Sequence, residues 1–230
     1  MTLQLVIGNK NYSSWSMRPW VLMAQLGIPF EELKLRFDFN ANSAFRQAVA
    51  RLSPAGRVPI LVDDGFSIWD TLAIAEALHD RFPEAGVWPK GRNERARARS
   101  LCAEMHAGFG ALRSHCPMNI EASLPEVGQK VWADQESVRG DIARIEQMWT
   151  DALQASGGPM LFGAFSAADA YFAPVAMRIR SYQLPVSPEV LDYITRLCAM
   201  PGVRRWIDDA LAEQDYLDFE EPYRRSRSPG

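Results

Sequence analysis

Hydroxyl side chains are concentrated near the amino terminus of the chain, at Tyr12, Ser13, Ser14 and Ser16. This segment follows a short apolar run that predicts a strand, and it precedes the apolar spacing of a helix that we expect to begin near Met17. The amino end of a helix carries unpaired N–H groups and the positive end of the helix dipole, so the hydroxyls can cap the helix or stabilise an anion. Three serines within four positions exceed what a cap needs, and a thiolate is one anion that such donors would stabilise.

A second candidate is the tripeptide Arg57-Val58-Pro59, at the start of a strand that we expect over residues 58–62. Proline cannot donate a hydrogen bond within a sheet. Two arrangements are therefore open: a trans proline on an edge strand, or a cis Val58–Pro59 bond that turns the backbone of Val58 outward. In the second arrangement, the N–H and C=O groups of Val58 could pair with a peptide-like ligand.

A third candidate is Asp70-Thr71, at the start of a helix predicted over residues 71–81. In the simpler interpretation Asp70 is only the N-cap of that helix. A carboxylate beside a hydroxyl and free helix N–H groups also suits a zwitterion, with Asp70 on its ammonium and Thr71 on its carboxylate. All three candidates lie where a strand begins or ends, so one sheet can bring them to a single ligand site.

The elements that would position these residues fall into two parts. Residues 1–83 show the order β-α-β-α-β-β-α, which predicts a mixed sheet with helices on its faces. Residues 84–91 contain Pro and Gly and are the predicted linker. Residues 92–230 show helical spacing only, with helices expected over 92–115, 126–155, 167–180, 188–200 and 202–213. The predicted fold class is α/β followed by all-α.

The composition excludes several classes of protein. The 230 residues include 25 Lys and Arg against 28 Asp and Glu, so the net charge of -3 provides no general attraction to nucleic acid or to anionic membranes. The sequence has neither an apolar run of membrane-spanning length nor a signal core, so we expect a cytoplasmic protein. The 3 cysteines lack metal-binding spacing, and Cys102 with His106 has no evident third ligand, so no metal is expected. The arginines of the terminal segment, residues 220–230, are expected to be solvated.

Taken in order, these motifs resemble the cytosolic glutathione S-transferase family over essentially the whole chain. A further match is Ser166-Ala167-Ala168-Asp169, which is similar to the family's buried capping box, S/T-x-x-D. The resemblance implies a thioredoxin-like amino-terminal domain that binds glutathione and an all-helical carboxy-terminal domain that contributes the electrophile site. It also implies a homodimer.

The segment SSWSMR is similar to the SSCSxR signature of the zeta class, which includes maleylacetoacetate isomerases. That resemblance implies that Ser13 stabilises the glutathione thiolate, with Ser14 beside it. Spacing from Arg18 in theta-like members selects Ser14 instead, and tyrosine-type transferases use a phenol at a position comparable to Tyr12. Trp15 stands where zeta members have cysteine, so redox or thiol-transfer chemistry is not expected.

The resemblance assigns further residues to two subsites. Those implied to bind glutathione are Trp15, Val58 with its neighbours Arg57 and Pro59, and the pair Asp70 and Thr71 at the γ-glutamyl end. Candidates for the electrophile site are Tyr12, Met105, His106, Phe109, Arg113 and Met118. The implied activity is transfer of the thiolate of glutathione, the cosubstrate, to a small hydrophobic electrophile. The alternatives are glutathione-dependent cis-trans isomerisation and a non-catalytic binding module.

Overall fold

The amino-terminal part of the protein contains a four-stranded sheet in the order β2-β1-β3-β4. A computed structural model describes residues 3–225, and its strands are β1 (Leu3–Ile7), β2 (Glu31–Lys34), β3 (Ile60–Asp63) and β4 (Phe66–Ile68). β2 runs parallel to β1, whereas β3 is antiparallel to both β1 and β4. The sheet is therefore mixed, as the sequence predicts.

Three helices accompany the sheet: α1 (Ser14–Gln25), α2 (Ala44–Leu52) and α3 (Thr71–Arg81). The buried side of α1 includes Met17, Trp20 and Val21, which pack in the same core as the inward side chains of β1. α1 begins earlier than the apolar spacing predicts, because Ser14 and Trp15 already have helical conformation. The serine segment, residues 12–16, therefore overlaps the start of α1: Ser13 is the N-cap, and Ser14 and Ser16 lie in the first turn.

The rest of the chain is helical. Its helices are α4 (Arg92–Ala107), α5 (Gly110–His115), α6 (Pro125–Asp134), α7 (Glu136–Ser156), α8 (Ala167–Tyr182), α9 (Pro188–Ala199) and α10 (Pro201–Glu213). α1 packs against α8 and α10, so the helical part covers one side of the amino-terminal part. Within residues 3–225, no helix has both the length and the apolar character needed to cross a bilayer.

Two long helices predicted from the sequence are each divided in two. The one expected over residues 92–115 ends at Gly108, and Phe109 takes a left-handed conformation with φ of 58° before α5 begins. The one expected over residues 126–155 is interrupted at Gln135, whose ψ of 91° is extended. Apolar side chains continue at helical spacing across both breaks, so periodicity alone does not reveal them.

The capping box predicted at the start of α8 is confirmed. The N–H of Ala168 donates to Ser166 Oγ at 3.3 Å, and the N–H of Ser166 donates to Asp169 Oδ2 at 2.9 Å. Asp169 is fully buried and also accepts from the Leu161 N–H and the Tyr193 O–H. Because α8 is buried along almost its whole length, this network fixes the central helix of the carboxy-terminal part.

Candidate functional site

A cavity of about 530 Å³ opens at the amino end of α1. The amino-terminal part lines the cavity with residues of the serine segment, of the loop before α2, of α2 and of the segment before β3. The helical part lines it with residues of α5, of the loop after α5, of α8 and of the carboxy-terminal segment. The lining residues are Tyr12, Ser13, Ser14, Trp15, Phe37, Phe39, Phe45, Arg46, Gly56, Arg57, Val58, Arg113, Pro117, Met118, Arg178 and Glu220. A larger cavity of about 650 Å³ lies between α4 and α7, but none of the predicted site residues line it.

The serine hydroxyls at this cavity have different partners. Ser13 is the N-cap residue of α1, yet its Oγ makes no capping hydrogen bond and lies instead 2.7 Å from Ser16 Oγ. Ser16 Oγ also accepts from the Gly8 N–H at 3.2 Å. Ser14 Oγ accepts from Arg178 Nη2 at 3.3 Å. Ser13 and Ser14 both line the cavity, so both hydroxyls can reach a bound anion.

The phenol of Tyr12 is engaged elsewhere. Its O–H donates to Glu221 Oε1 at 2.7 Å, and its oxygen accepts from the Leu217 N–H at 3.4 Å. Burial, followed by the hydrogen bond to Glu221, raises the pKa of Tyr12. The ring lines the cavity, whereas the hydroxyl is held by the carboxy-terminal segment.

Residues 217–224 of the carboxy-terminal segment are folded onto the protein, which corrects the expectation of a solvated tail for this part of it. Glu221 is 5% exposed and the side chain of Arg224 is 8% exposed, because the two form an ion pair and Glu221 also accepts from Asn119 Nδ2 at 2.9 Å. Arg225 is exposed, and Arg227 lies outside the described residues. The sequence-based prediction was wrong for Arg224 because the pair Arg224–Glu221 packs against Glu121 and Asn119, which lie far away in the chain.

A group of arginines gives this end of the cavity a positive charge. Arg178 is 4% exposed, and its guanidinium donates to the carbonyl oxygens of Cys116 and Pro174 as well as to Ser14. Burial lowers the pKa of Arg178 to about 10 and that of Arg18 to about 10, so both remain cationic at neutral pH. Within residues 3–225, neither Arg18, Arg113 nor Arg178 forms an ion pair with a carboxylate.

The segment before β3 takes the second of the two arrangements considered from the sequence. The Val58–Pro59 peptide bond is cis. Val58 lies in the cavity wall and precedes Ile60, the first residue of β3 that pairs with β1, so its backbone is outside the ladder. Arg57 is exposed and lines the same cavity, whereas Pro59 is buried and does not.

Asp70 and Thr71 lie outside the lining of this cavity. Asp70 caps α3 by accepting from the Leu72 N–H at 3.0 Å, and its other oxygen is 3.0 Å from His106 Nε2. The His106 ring in turn meets Trp15 edge-on, with 5.0 Å between ring centroids. The pair is therefore connected to the cavity through two aromatic rings.

The electrophile-site candidates are placed in different surroundings. Met105 and Phe109 are buried in the main core, and His106 is half-buried beside Trp15; none of these three lines the cavity. Arg113 and Met118 do line it.

Half of the residues in the cavity wall were missed by reasoning from the sequence: Phe37, Phe39, Phe45, Arg46, Gly56, Pro117, Arg178 and Glu220. Among them, Arg178 is a cation that directly follows the apolar run 170–177 of α8, and that charge was a usable signal. Glu220 stands in a polar terminal segment that carries no comparable signal.

Comparison with protein families accounts for most of the chain. The glutathione S-transferase N-terminal domain matches residues 12–81, and the glutathione S-transferase C-terminal domain matches residues 94–209. The chain belongs to the glutathione S-transferase family. Its fold class is confirmed as a thioredoxin-like domain followed by a helical domain, while the limits 1–83, 84–91 and 92–230 stay predictions.

Individual relatives within the glutathione S-transferase family have modest identity to this chain. Maleylacetoacetate isomerase from Rattus norvegicus is 25% identical over 177 residues, which cover 76% of this chain and 78% of that protein. Dichloromethane dehalogenase from Methylorubrum extorquens is 37% identical over 78 residues, covering 33% of this chain and 26% of its own length. A glutathione transferase homolog from Burkholderia, solved with bound glutathione, is 26% identical with a TM-score of 0.67 over 91% of this chain and 98% of that one.

Among the residues described for this glutathione S-transferase, no cluster of three or more His, Cys, Asp or Glu side chains is placed to hold a metal ion. The groups available for chemistry at the cavity are therefore hydroxyls, guanidinium ions, backbone amides and one carboxyl group. That set suits the binding and stabilisation of anions.

Proposed function

We propose that the protein binds glutathione in the cavity at the amino end of α1 and transfers its thiolate to an electrophilic carbon of a small substrate. One observation carries the proposal: two serine hydroxyls, the amino end of a helix and a buried arginine with no carboxylate partner among the described residues converge on one cavity. Each of these groups stabilises a negative charge more than a neutral thiol.

The tripeptide would lie across the amino-terminal part, as the resemblance implies. Val58, whose backbone is outside the ladder of β3, would pair with the cysteinyl amide groups. Arg57 would attract a carboxylate of the peptide. The exposed carboxylate of Asp70 and the amino end of α3 at Thr71 would hold the γ-glutamyl end, and Trp15 would lie between that end and the serines.

The energy required is modest. A free thiol has a pKa near 8.5, and moving it to about 6.5 needs roughly 2.7 kcal/mol of preference for the charged form, at about 1.36 kcal/mol per unit. One hydrogen bond to a charged group contributes about 1.5–3 kcal/mol, and a helix end contributes about 0.3–1 kcal/mol. A single serine at the start of α1 therefore suffices, with Arg178 adding to the field.

Binding and turnover of glutathione test the proposal. We expect retention on immobilised glutathione, elution by free glutathione, thiolate absorbance near pH 7 and conjugation of an aryl halide. Replacing the serine that donates to the thiolate, by Ser13→Ala or by Ser14→Ala, should reduce the thiolate signal at that pH, whereas Ser100→Ala should not, because its hydroxyl bonds the carbonyl of Ala96 on an exposed face. No retention together with no thiolate signal would overturn the proposal; retention without turnover of any substrate would indicate a non-catalytic binding module.

A second candidate function is glutathione-dependent cis-trans isomerisation. The observation that favours it is the cationic wall, since Arg113 and Arg178 line the cavity without a carboxylate partner among the described residues. A substrate that carries carboxylates, as maleylacetoacetate does, would supply that partner. The thiolate would add to one carbon of the cis double bond, the new single bond would rotate, and expulsion of the thiolate would restore a trans double bond and free glutathione.

Parallel assays separate the two functions. Maleylacetoacetate and a neutral aryl halide would be measured with the original protein and with Arg178→Met, which replaces the buried charge by an apolar chain of similar length. Isomerisation predicts that the variant loses far more activity toward the anionic substrate than toward the neutral one. Equal losses would count against a carboxylate-binding role.

We further propose a cytoplasmic homodimer, as the resemblance implies.

A further inference from the structure

The hydroxyl of Ser16 has an arrangement that fixes the direction of a hydrogen bond. Ser16 is fully buried, and its Oγ has two neighbours: the Gly8 N–H at 3.2 Å and Ser13 Oγ at 2.7 Å. An N–H group can only donate, so Ser16 accepts from Gly8. The remaining question is which of the two serines donates to the other.

Burial decides that question. If Ser13 donated, the Ser16 proton would have no acceptor among the described residues, whereas buried polar groups in folded proteins are almost always hydrogen-bonded. If Ser16 donates, its one proton and one of its acceptor sites are both used. The Ser13 proton is then left free, and Ser13 lines the cavity where a ligand can accept it. The second direction satisfies both the donor and an acceptor site of Ser16 and leaves the Ser13 proton available to a ligand in the cavity.

The result is a chain of donors that runs from the Gly8 N–H through Ser16 to Ser13 and into the cavity. Each donor polarises the next, which strengthens each bond by about 10–30% in general. Ser14 differs, because among the described residues its hydroxyl has only Arg178 as a partner, at 3.3 Å, and its side chain is less buried. Ser13 is therefore the better preorganised of the two donors.

We propose that Ser16 is a positioning residue whose O–H holds the Ser13 oxygen as an acceptor and thereby directs the Ser13 proton at the thiolate sulfur of glutathione. This inference rests on the proposed function, and it selects Ser13 over Ser14 as the donor. Ser16 does not touch the ligand; it acts through Ser13. The sulfur keeps its negative charge, and no proton is transferred from Ser13.

The test measures the pKa of the glutathione thiol in the complex, from the pH dependence of thiolate absorbance. Ser13→Ala should raise that pKa by about 1–2 units, the equivalent of one hydrogen bond to a charged group. Ser16→Ala should raise the thiol pKa by at least half as much. Ser13→Ala combined with Ser16→Ala should raise it by no more than Ser13→Ala alone, because Ser16 acts through Ser13. The matched control combines Ser14→Ala with Ser16→Ala, and the changes that these two variants make to the thiol pKa should add.

Further measurements separate positioning from damage to the fold. Ser16→Ala also removes the acceptor of the Gly8 N–H, so the unfolding midpoint and the dissociation constant of glutathione are measured for every variant. Ser16→Cys keeps the shape with a weaker donor and should raise the thiol pKa by a smaller amount.

If Ser16→Ala and Ser16→Cys leave the thiol pKa unchanged while Ser13→Ala raises it, the inference is wrong and the proposed function stands. If only Ser14→Ala raises it, Ser13 is not the donor and the inference is also wrong. If no variant, nor the original protein, binds glutathione as a thiolate, the proposed function itself fails.

Discussion

Replacing Tyr12 by phenylalanine removes a hydroxyl that donates to Glu221 Oε1 at 2.7 Å in a buried site. A hydrogen bond to a charged group contributes about 1.5–3 kcal/mol to stability. Glu221 retains Asn119 Nδ2 at 2.9 Å and Arg224 Nε at 2.8 Å, so the carboxylate keeps other donors and the cost falls in the lower half of that range. The contact with the Leu217 N–H at 3.4 Å is long and adds little. We expect a loss of about 2 kcal/mol in the free energy of unfolding.

Urea unfolding at pH 7 and fixed protein concentration measures this loss. The matched control is Tyr223→Phe, because the Tyr223 hydroxyl donates at 2.8 Å to the His115 carbonyl in an exposed position, where the expected cost is about 0.5–1 kcal/mol. Catalysis should change little in Tyr12→Phe, since the phenol is bound to Glu221 and burial raises its pKa. A hundredfold loss of kcat/KM in a protein of near-original stability would refute this reasoning and make Tyr12 the thiolate donor in place of serine.

Two further predictions concern charge and packing. Burial, with Glu221 nearby, raises the pKa of Glu220 to about 7, above its unfolded value, so this carboxyl destabilises the fold as it ionises. Glu220→Gln should therefore raise the urea midpoint at pH 8.5 and have a smaller effect toward pH 5; the same shift at both pH values would contradict it. Gly128→Ala should destabilise because the added Cβ would overlap the Tyr182 carbonyl oxygen, whereas Gly140→Ala, in open space within α7, should stabilise by about 0.5–1 kcal/mol. Thermal unfolding that ranks these two variants in the opposite order would disprove the packing argument.

Local sequence was enough to predict the features that depend on near neighbours. Strand and helix periods, the Ser166–Asp169 box and the capping of α3 by Asp70 involve residues at most a few positions apart, so local spacing is enough to predict them. The order of these elements predicted a mixed sheet followed by helices, and the resemblance to the glutathione S-transferase family implied that the first part is thioredoxin-like. The same local character explains the errors at Gly108 and Gln135, where apolar spacing continues although the backbone does not.

Which side chains share the cavity depends on the packing of parts that are distant in sequence. Arg178 meets Ser14 across 164 positions of sequence, and Glu221 binds Tyr12 across 209. Such contacts depend on how α8 and the carboxy-terminal segment pack against α1, and no local pattern encodes that packing. The sequence therefore left the roles of three neighbouring hydroxyls open. In the structure, the phenol of Tyr12 is held by a carboxylate, whereas Ser13 and Ser14 line the cavity with other partners.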